Sequence, residues 1–141
     1  MPRTKDNVGF LLAKASQRVN ELLVQRFAAH DFSEVRASYG SVLVPLFEQD
    51  GLRLGALAGA ARLSKQAMTG LVKQCEADGL VERARDPIDG RAFNVRLTDR
   101  GRAFQDVAEL VLGDLDDELA GVLGVRDRDA LIRALKGVIE I

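Results

Sequence analysis

The sequence predicts a mostly α-helical fold with one small β-hairpin. Apolar residues recur at three- and four-residue steps in several long segments, which is typical of amphipathic helices. Residues 80–97 instead alternate apolar and polar side chains around an Asp-Gly turn. The chain has 141 residues, of which 47% are hydrophobic and 29% charged, the size and balance of one globular domain. We therefore expect a single domain over residues 1–141.

Two helices are predicted in the first third of the chain. The first runs from Val8 to Ala29, where the apolar spacing is unbroken. The second runs from about Ser33 to Gln49 and contains Pro45, which should kink it or mark a boundary. Asp50-Gly51 ends this segment, and residues 52–54 are long enough only for a short strand.

A pair of helices joined by a tight turn follows. Gly55 to Ala61 predict a short helix, and Arg62-Leu63 predict the turn. Ser64 suits the N-cap of the next helix, which extends to about Asp78. Gly79 suits its C-terminal end, where a left-handed residue is common.

A hairpin is predicted next. Residues 80–85 and 93–97 form its strands, and the charged segment Asp86 to Arg91 forms its tip. Pro87 prevents either strand from extending through the tip because it has no N–H to donate. We therefore expect residues 80–97 to form a two-stranded hairpin.

The C-terminal part predicts two further helices. One begins near Asp99 behind the capping residue Thr98, and the last begins at about Asp127. Both carry long apolar stripes, as does the first helix. Exposed stripes of this length usually mark an interface, which favours a homodimer; packing within one subunit is the alternative.

The net charge of −1 conceals an uneven distribution. Residues 62–102 hold nine basic and six acidic side chains, whereas residues 103–141 hold four and nine. A basic segment of this kind favours an anionic partner such as nucleic acid. Chance asymmetry is the alternative.

Several function classes are disfavoured by composition. One cysteine cannot form an internal disulfide, and one cysteine with one histidine is too few for a transition-metal site. No Ser-His-Asp order, Cys-His pair or Gly-rich phosphate loop indicates an enzyme, and we expect no metal and no cofactor. The apolar runs are too short to cross a membrane and the first residues do not resemble a signal peptide, so we expect a cytoplasmic protein.

The order short helix, turn, capped helix and hairpin is that of a winged helix-turn-helix. The capped helix places polar side chains opposite its apolar face of Met68, Leu71, Val72 and Cys75; they are Lys65, Gln66, Thr69 and Lys73. In a DNA major groove Gln can read adenine, Lys can read guanine, and Thr can contact base edges or phosphate. Hairpin arginines can enter the minor groove or contact phosphates; they are Arg83, Arg85, Arg91 and Arg96. A solvated helix face with a charged turn is the alternative.

Specific motifs support this assignment. Leu57-Ala58, Leu63-Ser64 and Gly79 to Arg83 are followed by Asp89-Gly90-Arg91 and by Val95-x-Leu97-Thr98-x-x-Gly101. Residues 54–102 thereby resemble the MarR family of bacterial and archaeal transcription regulators. Asp89-Gly90-Arg91 matches the family's Asp-x-Arg wing signature and is the most specific part of the resemblance.

The resemblance implies a homodimer that binds a pseudo-palindromic operator, most often as a repressor. The dimer would form through residues 8–33 and 102–141, with the winged lobe at about 36–101. Arg91 would enter the minor groove, oriented by an ion pair with Asp89. The implied DNA-binding residues are Ser64, Lys65, Gln66, Thr69, Lys73, Arg83, Arg85, Asp89 and Arg91. A winged-helix interaction module that has lost specific DNA binding is the alternative function.

A small aromatic or lipophilic effector that releases DNA is also implied. His30 and Tyr39 are candidate ligand contacts, with Phe27, Phe32 and Phe47 as walls; core packing or surface placement is the alternative for each. Cys75 would be a redox sensor if exposed, but its place on the apolar helix face favours a buried, inert thiol.

Three residues depart from the family pattern. Arg53 stands where a Ser or Thr often caps the short helix, so we expect that helix to begin less firmly. Arg62 stands where the turn often has Gly, and because a left-handed Arg is costly we expect the turn to differ. Gly70 lowers the stability of the capped helix, which is the recognition helix of the helix-turn-helix, by about 1 kcal/mol but lets its backbone approach DNA.

Overall fold

The computed structural model describes residues 4–141. Two short 3₁₀ helices lie at Thr4–Asp6 and Ala37–Tyr39. The other elements are, in chain order, α1 (Val8–Ala29), α2 (Gly40–Glu48), β1 (Leu52–Arg53), α3 (Leu54–Ala61), α4 (Lys65–Ala77), β2 (Val81–Arg85), β3 (Phe93–Leu97), α5 (Asp99–Leu123) and α6 (Val125–Ile139). The predicted class, mostly α with a β-hairpin wing, is confirmed.

The sheet has three antiparallel strands in the order β1-β3-β2. The hairpin register pairs Val81 with Leu97 and Arg85 with Phe93. β1 adds to the other edge of β3, where Leu52 pairs with Val95. The hairpin and the short preceding strand therefore form as predicted.

Two helix boundaries differ from the prediction. α2 begins at Gly40, not near Ser33, because residues 33–36 lie in turns and Ala37–Tyr39 form a 3₁₀ helix. The helix then continues through Pro45 to Glu48, so Pro45 does not mark a boundary. α6 begins at Val125, two residues before the expected start, directly after Gly124 at φ 84°.

Three helices, α1, α3 and α4, end in the same way, with one left-handed residue. These residues are Asp31 (φ 69°), Arg62 (φ 55°) and Gly79 (φ 77°). After each, a backbone N–H donates back to a carbonyl five residues earlier, as from Leu63 to Ala58 at 3.0 Å, which is the Schellman arrangement. The expectation that Arg62 changes the turn is therefore wrong: Arg62 adopts the left-handed conformation at a cost of about 1–2 kcal/mol.

The described chain divides into two compact units after Val107. The core of the first unit lies between α2, α3, α4 and the sheet, where Leu46, Leu57, Met68 and Val95 are at most 2% exposed. Phe104 of α5 closes the other side of this unit against α1, with its ring centroid 4.8 Å from that of Phe27. This packing fixes α4 and the hairpin on one scaffold.

Gly101 allows α5 to begin close to the turn before β2. A Cβ atom at this position would lie 2.1 Å from the Leu80 carbonyl oxygen. Thr98 fixes the same approach, since its hydroxyl donates to the Gly79 carbonyl at 2.6 Å and accepts from the Gly101 N–H at 3.1 Å. The Leu97-Thr98-x-x-Gly101 motif is thus a packing motif.

The second unit comprises the end of α5 and α6. Arg128 joins them, because its Nη2 lies 2.5 Å from Asp116 Oδ2. Large apolar side chains remain exposed here, among them Val122 (82%), Val125 (70%) and Ile139 (66%). None of the helices described over residues 4–141 has both the length and the apolar character that a membrane crossing needs.

Candidate nucleic-acid interface

The recognition helix α4 is held by its cap and by its apolar face. The Ser64 hydroxyl accepts from the Ala67 N–H at 3.1 Å, as predicted for an N-cap. Met68, Val72 and Cys75 are at most 2% exposed, which turns the other face outward. Lys65, Gln66 and Lys73 are exposed on that face, and Thr69 is half-buried between them.

A cleft of about 450 Å³ separates α4 from the wing. The start of α3, the outward face of α4 and the β3 side of the hairpin line it. Five of its lining residues are basic: Arg53, Lys65, Lys73, Arg83 and Arg91. The structure thus brings together predicted residues that lie as far apart in sequence as Lys65 and Arg91, and it adds Arg53.

The basic residues of the cleft differ in their partners. Arg83 pairs with Glu76 of α4 at 3.2 Å, and Arg53 pairs with Asp86 at 2.9 Å. Among residues 4–141, Lys65, Lys73 and Arg91 make no ion pair. Three unneutralised cations therefore face one cleft from both of its walls, which favours a polyanion.

The wing tip is closed by backbone and carboxylate hydrogen bonds. The Asp86 N–H donates to the Ala92 carbonyl at 2.9 Å. Asp86 Oδ1 accepts from the Ile88 N–H at 2.8 Å and from the Asp89 N–H at 3.2 Å. Because these bonds and the Arg53 guanidinium favour the charged carboxylate, the pKa of Asp86 falls to about 2, with the Arg53 hydrogen bond the largest cause.

The expected ion pair between Asp89 and Arg91 is not formed. Asp89 Oδ1 instead accepts from the Arg91 backbone N–H at 3.1 Å, because a carboxylate two residues upstream in a turn reaches the main chain most easily. The prediction is corrected in this respect: Asp89 fixes the backbone at Arg91, and the guanidinium has no ion-pair partner among residues 4–141.

Arg85 also contributes to the tip, but away from the cleft. Its Nη1 donates to the Gly90 carbonyl at 2.7 Å, and its guanidinium carbon lies 5.5 Å from the centre of the Phe93 ring. Ser64, Gln66, Arg85 and Asp89 are outside the cleft lining. Ser64, Arg85 and Asp89 shape the elements that carry the basic residues. Gln66 is exposed on α4.

The family model that matches this chain is described as MarR family and covers residues 38–93. That range includes α3, α4, β2 and the wing tip with its Asp-x-Arg signature. Residues 38–93 of this chain are therefore similar to the MarR family. The resemblance drawn from the motifs is thereby confirmed.

Two relatives of known sequence each match part of this chain. The HTH-type transcriptional regulator TtmR of Methylorubrum extorquens is 39% identical over 64 residues, which are 45% of this chain and 33% of TtmR. The uncharacterised HTH-type regulator YdgJ of Bacillus subtilis is 34% identical over 86 residues, which are 61% of this chain and 51% of YdgJ. The matched part of the chain spans about a third of the length of TtmR and half that of YdgJ.

A solved structure matches over nearly the whole MarR-like chain. The transcriptional repressor CouR, solved on a 23-mer DNA duplex, has a TM-score of 0.82 at 26% identity. The match covers 99% of this chain and 98% of CouR. The flanking helices are therefore shared with that structure as well as the winged lobe.

The two candidate effector residues lie in different environments. Tyr39 is 1% exposed, and its hydroxyl donates to Asp78 Oδ2 at 2.5 Å. Burial, followed by this hydrogen bond to a carboxylate, raises the pKa of Tyr39 to about 12. His30 is the exposed C-cap of α1. Their roles in binding a ligand stay predictions.

Two of the three proposed aromatic walls, Phe27 and Phe32, are core side chains. Phe27 and Phe32 are 7% and 6% exposed, and both pack on Phe104. Phe47 lies 6.2 Å from the same ring, centroid to centroid. Arg100 covers Phe32 with its guanidinium carbon 4.2 Å from the ring centre. These rings form one cluster around Phe104 of α5, which was not among the predicted walls.

Cys75 is fully buried on the inner face of α4. Burial, and secondarily Asp78, raises the pKa of its thiol to about 12. The thiol is thus protonated at neutral pH, in agreement with the core interpretation. Over residues 4–141, no three His, Cys, Asp or Glu side chains are grouped as metal ligands.

Sequence reasoning missed two residues of this interface. Arg53 was noted only as a poor helix cap, and it indeed makes no side-chain cap. Asp86 was assigned only to the tip of the hairpin. Their ion pair joins residues 33 positions apart, and no local pattern indicates it.

Proposed function

We propose that this chain is a sequence-specific double-stranded DNA-binding transcription regulator. α4 would lie in the major groove while the wing reaches the adjacent minor groove or its phosphates. The observation that carries this proposal is the placement of Lys65, Lys73 and Arg91, which have no ion-pair partners within residues 4–141, on two walls of one cleft. CouR, which shares the fold over almost the whole chain, was solved on duplex DNA, and this supports the choice of ligand.

The proposed active form is a homodimer that represses transcription from a pseudo-palindromic operator. Support comes from large apolar side chains left exposed on α1, α5 and α6, such as Val8 (70%) and Val122 (82%). Such surfaces usually mark an interface. A two-fold dimer presents two winged lobes, so half-sites would lie about one DNA turn apart. We place this protein in the cytoplasm and assign it no catalytic role.

Release by a small aromatic or lipophilic effector is the regulatory part of the proposal. A groove of about 830 Å³ runs along α1 and reaches Ala37, and its volume suits a drug-sized ligand. Tyr39 lies two residues beyond Ala37, and His30 ends α1. An effector in this groove would act on the segment that leads through Tyr39 and Asp78 to α4.

Fluorescence anisotropy tests the DNA-binding function. Duplexes would first be selected from a random pool with the purified protein, and the best would be compared with a shuffled duplex of equal length across a salt series. We expect at least about a thousandfold preference for the selected duplex, with one dimer per site. Equal, salt-sensitive binding to both duplexes would contradict the proposal and favour an interaction module.

A further inference from the structure

The two carboxylate oxygens of Asp86 have separate roles. Oδ1 accepts only from the wing tip, namely from the Ile88 and Asp89 N–H groups at 2.8 and 3.2 Å. Oδ2 accepts from Arg53 Nη2 at 2.9 Å, on a different strand. The Asp86 side chain is only 12% exposed. One side chain thus connects the tip of the wing to the helix-turn-helix.

The sheet register explains how Arg53 reaches this position. Arg53 lies opposite Asn94 of β3, and Asn94 lies opposite Ala84 of β2. Asp86 follows Ala84 by two residues, which is the strand repeat. The Arg53 side chain therefore extends across β3 toward the far end of β2. Because α3 starts at the next residue, the ion pair joins the wing to the first helix of the helix-turn-helix.

A short series of contacts leads from this ion pair to Arg91. Asp86 Oδ1 holds the Asp89 N–H, and Asp89 Oδ1 in turn accepts from the Arg91 N–H at 3.1 Å. The guanidinium of Arg91 has no ion-pair partner over residues 4–141. Its main chain is consequently fixed while its charged group stays available.

We propose that Asp86 is a positioning residue for DNA binding: its ion pair with Arg53 sets where Arg91 stands relative to α4. This inference rests on the proposed function, since it concerns how the same cleft binds DNA. A wing fixed before binding does not have to be ordered on the DNA, and that lowers the entropic cost of association.

Charge alone makes the opposite prediction for this residue. Asp86 is an acid beside a basic cleft, so its removal should strengthen attraction to phosphates if position did not matter. Under the positioning role, its removal weakens binding. The sign of the effect therefore separates the two explanations.

The test is Asp86→Asn, measured by anisotropy on the selected duplex. Asparagine retains an Oδ1 acceptor for the tip and replaces Oδ2 with an NH₂ group, which cannot accept from Arg53. Glu82→Gln is the matched control, since it removes one charge from β2 where Glu82 pairs with Arg96 at 2.9 Å. We expect Asp86→Asn to weaken binding by about fivefold or more and Glu82→Gln to leave it unchanged or tighter. Tighter or unchanged binding by Asp86→Asn would overturn the inference.

A second measurement shows whether Asp86 acts through Arg91. In an Arg91→Ala background, Asp86→Asn should change affinity by less than about twofold, because the contact it positions is already gone. An undiminished effect there would overturn the positioning role. Thermal unfolding of each variant shows whether it is folded, and if Asp86→Asn is not, Arg53→Gln with and without Arg91→Ala makes the same comparison.

The outcomes also separate this inference from the proposed function. If the unmodified protein does not distinguish selected from shuffled DNA, the proposed function fails and the inference fails with it. If it does distinguish them while Asp86→Asn behaves like Glu82→Gln, the positioning role alone is wrong.

Discussion

The hydroxyl of Tyr39 donates a 2.5 Å hydrogen bond to Asp78, the residue that ends the recognition helix. A carboxylate at a helix C-terminus is unfavourable because it faces the negative end of the helix dipole. The hydrogen bond from a buried phenol offsets this and ties the segment before α2 to the end of α4. The two elements are thereby coupled by one side-chain contact.

Tyr39→Phe should lower the free energy of unfolding by about 1–2 kcal/mol, because Asp78 loses its donor while the ring packing remains. Urea unfolding measures this change.

The stability of the protein should also depend on the titration of Tyr39. The pKa of Tyr39 is raised from 10.0 to about 12, so the neutral phenol stabilises the fold below pH 10 and this contribution disappears as the pH rises through 12. The Tyr39→Phe variant should not show this loss of stability at high pH. Because the chain has one tyrosine, the ultraviolet absorbance of tyrosinate reports its titration directly, and an ordinary pKa would contradict the prediction.

Arg91→Ala should weaken binding to the selected duplex by about 1–3 kcal/mol without altering the unfolding transition, since the Arg91 side chain is exposed. Arg96→Ala is the control on the same hairpin, because Arg96 is already paired with Glu82. Fluorescence anisotropy gives the affinity of each variant for the selected duplex, and the two losses are compared. Equal losses would indicate a general charge effect in place of a specific contact at the wing tip.

Lys65→Ala and Lys73→Ala should each reduce the slope of log affinity against log salt by about one, if each lysine neutralises one phosphate. Both ammonium groups lack ion-pair partners over residues 4–141, so nothing within the described chain has to be displaced first. A salt series with either variant gives the slope. An unchanged slope would place that lysine outside the DNA contact.

Cys75 should not react with thiol reagents in the native protein at neutral pH. Its side chain is fully buried and the pKa of the thiol is raised to about 12, so both access and thiolate are lacking. Labelling followed by mass spectrometry should show modification only after denaturant is added. Complete labelling of the folded protein would restore the redox-sensor hypothesis.

Gly101→Ala should destabilise the protein by more than about 3 kcal/mol, as a new Cβ would overlap backbone at the Leu80 carbonyl. Gly70→Ala is the helical control, because a Cβ there meets nothing within 4 Å. That substitution should stabilise the protein by about 1 kcal/mol. Thermal unfolding of the two variants, side by side, should give changes of opposite sign.

The elements that could be predicted from the sequence are those whose local and packing preferences agree. α4 combines the Ser64 cap with a regular buried face, and its observed ends at Lys65 and Ala77 lie within one residue of the predicted ones. The start of α2 was placed too early because Val35, Tyr39 and Val42 are all nearly fully buried. Their helical spacing continues through turns and a 3₁₀ helix, so the burial pattern persists where the α-helical hydrogen bonds do not.

Site residues could be predicted where their placement depends only on their own helix or turn. They could not be predicted where it depends on a contact between two different elements. The outward lysines of α4 and Arg91 of the wing follow from periodicity and the turn motif. The partner of Asp89 was misassigned, because a motif does not distinguish a backbone N–H from a guanidinium as the group bound. The Arg53–Asp86 pair depends on the register of β1 against β3, which the sequence does not specify.

The two edges of the sheet bear on how this protein behaves at high concentration. An open strand edge can template pairing with another chain and so begin aggregation. Here β1 offers only Leu52 and Arg53, while β2 carries Glu82, Arg83 and Arg85 and runs into Pro87. Charges and proline oppose strand addition from either side. A wing that has to stay open for its ligand can therefore remain uncovered without recruiting other wings into an extended sheet.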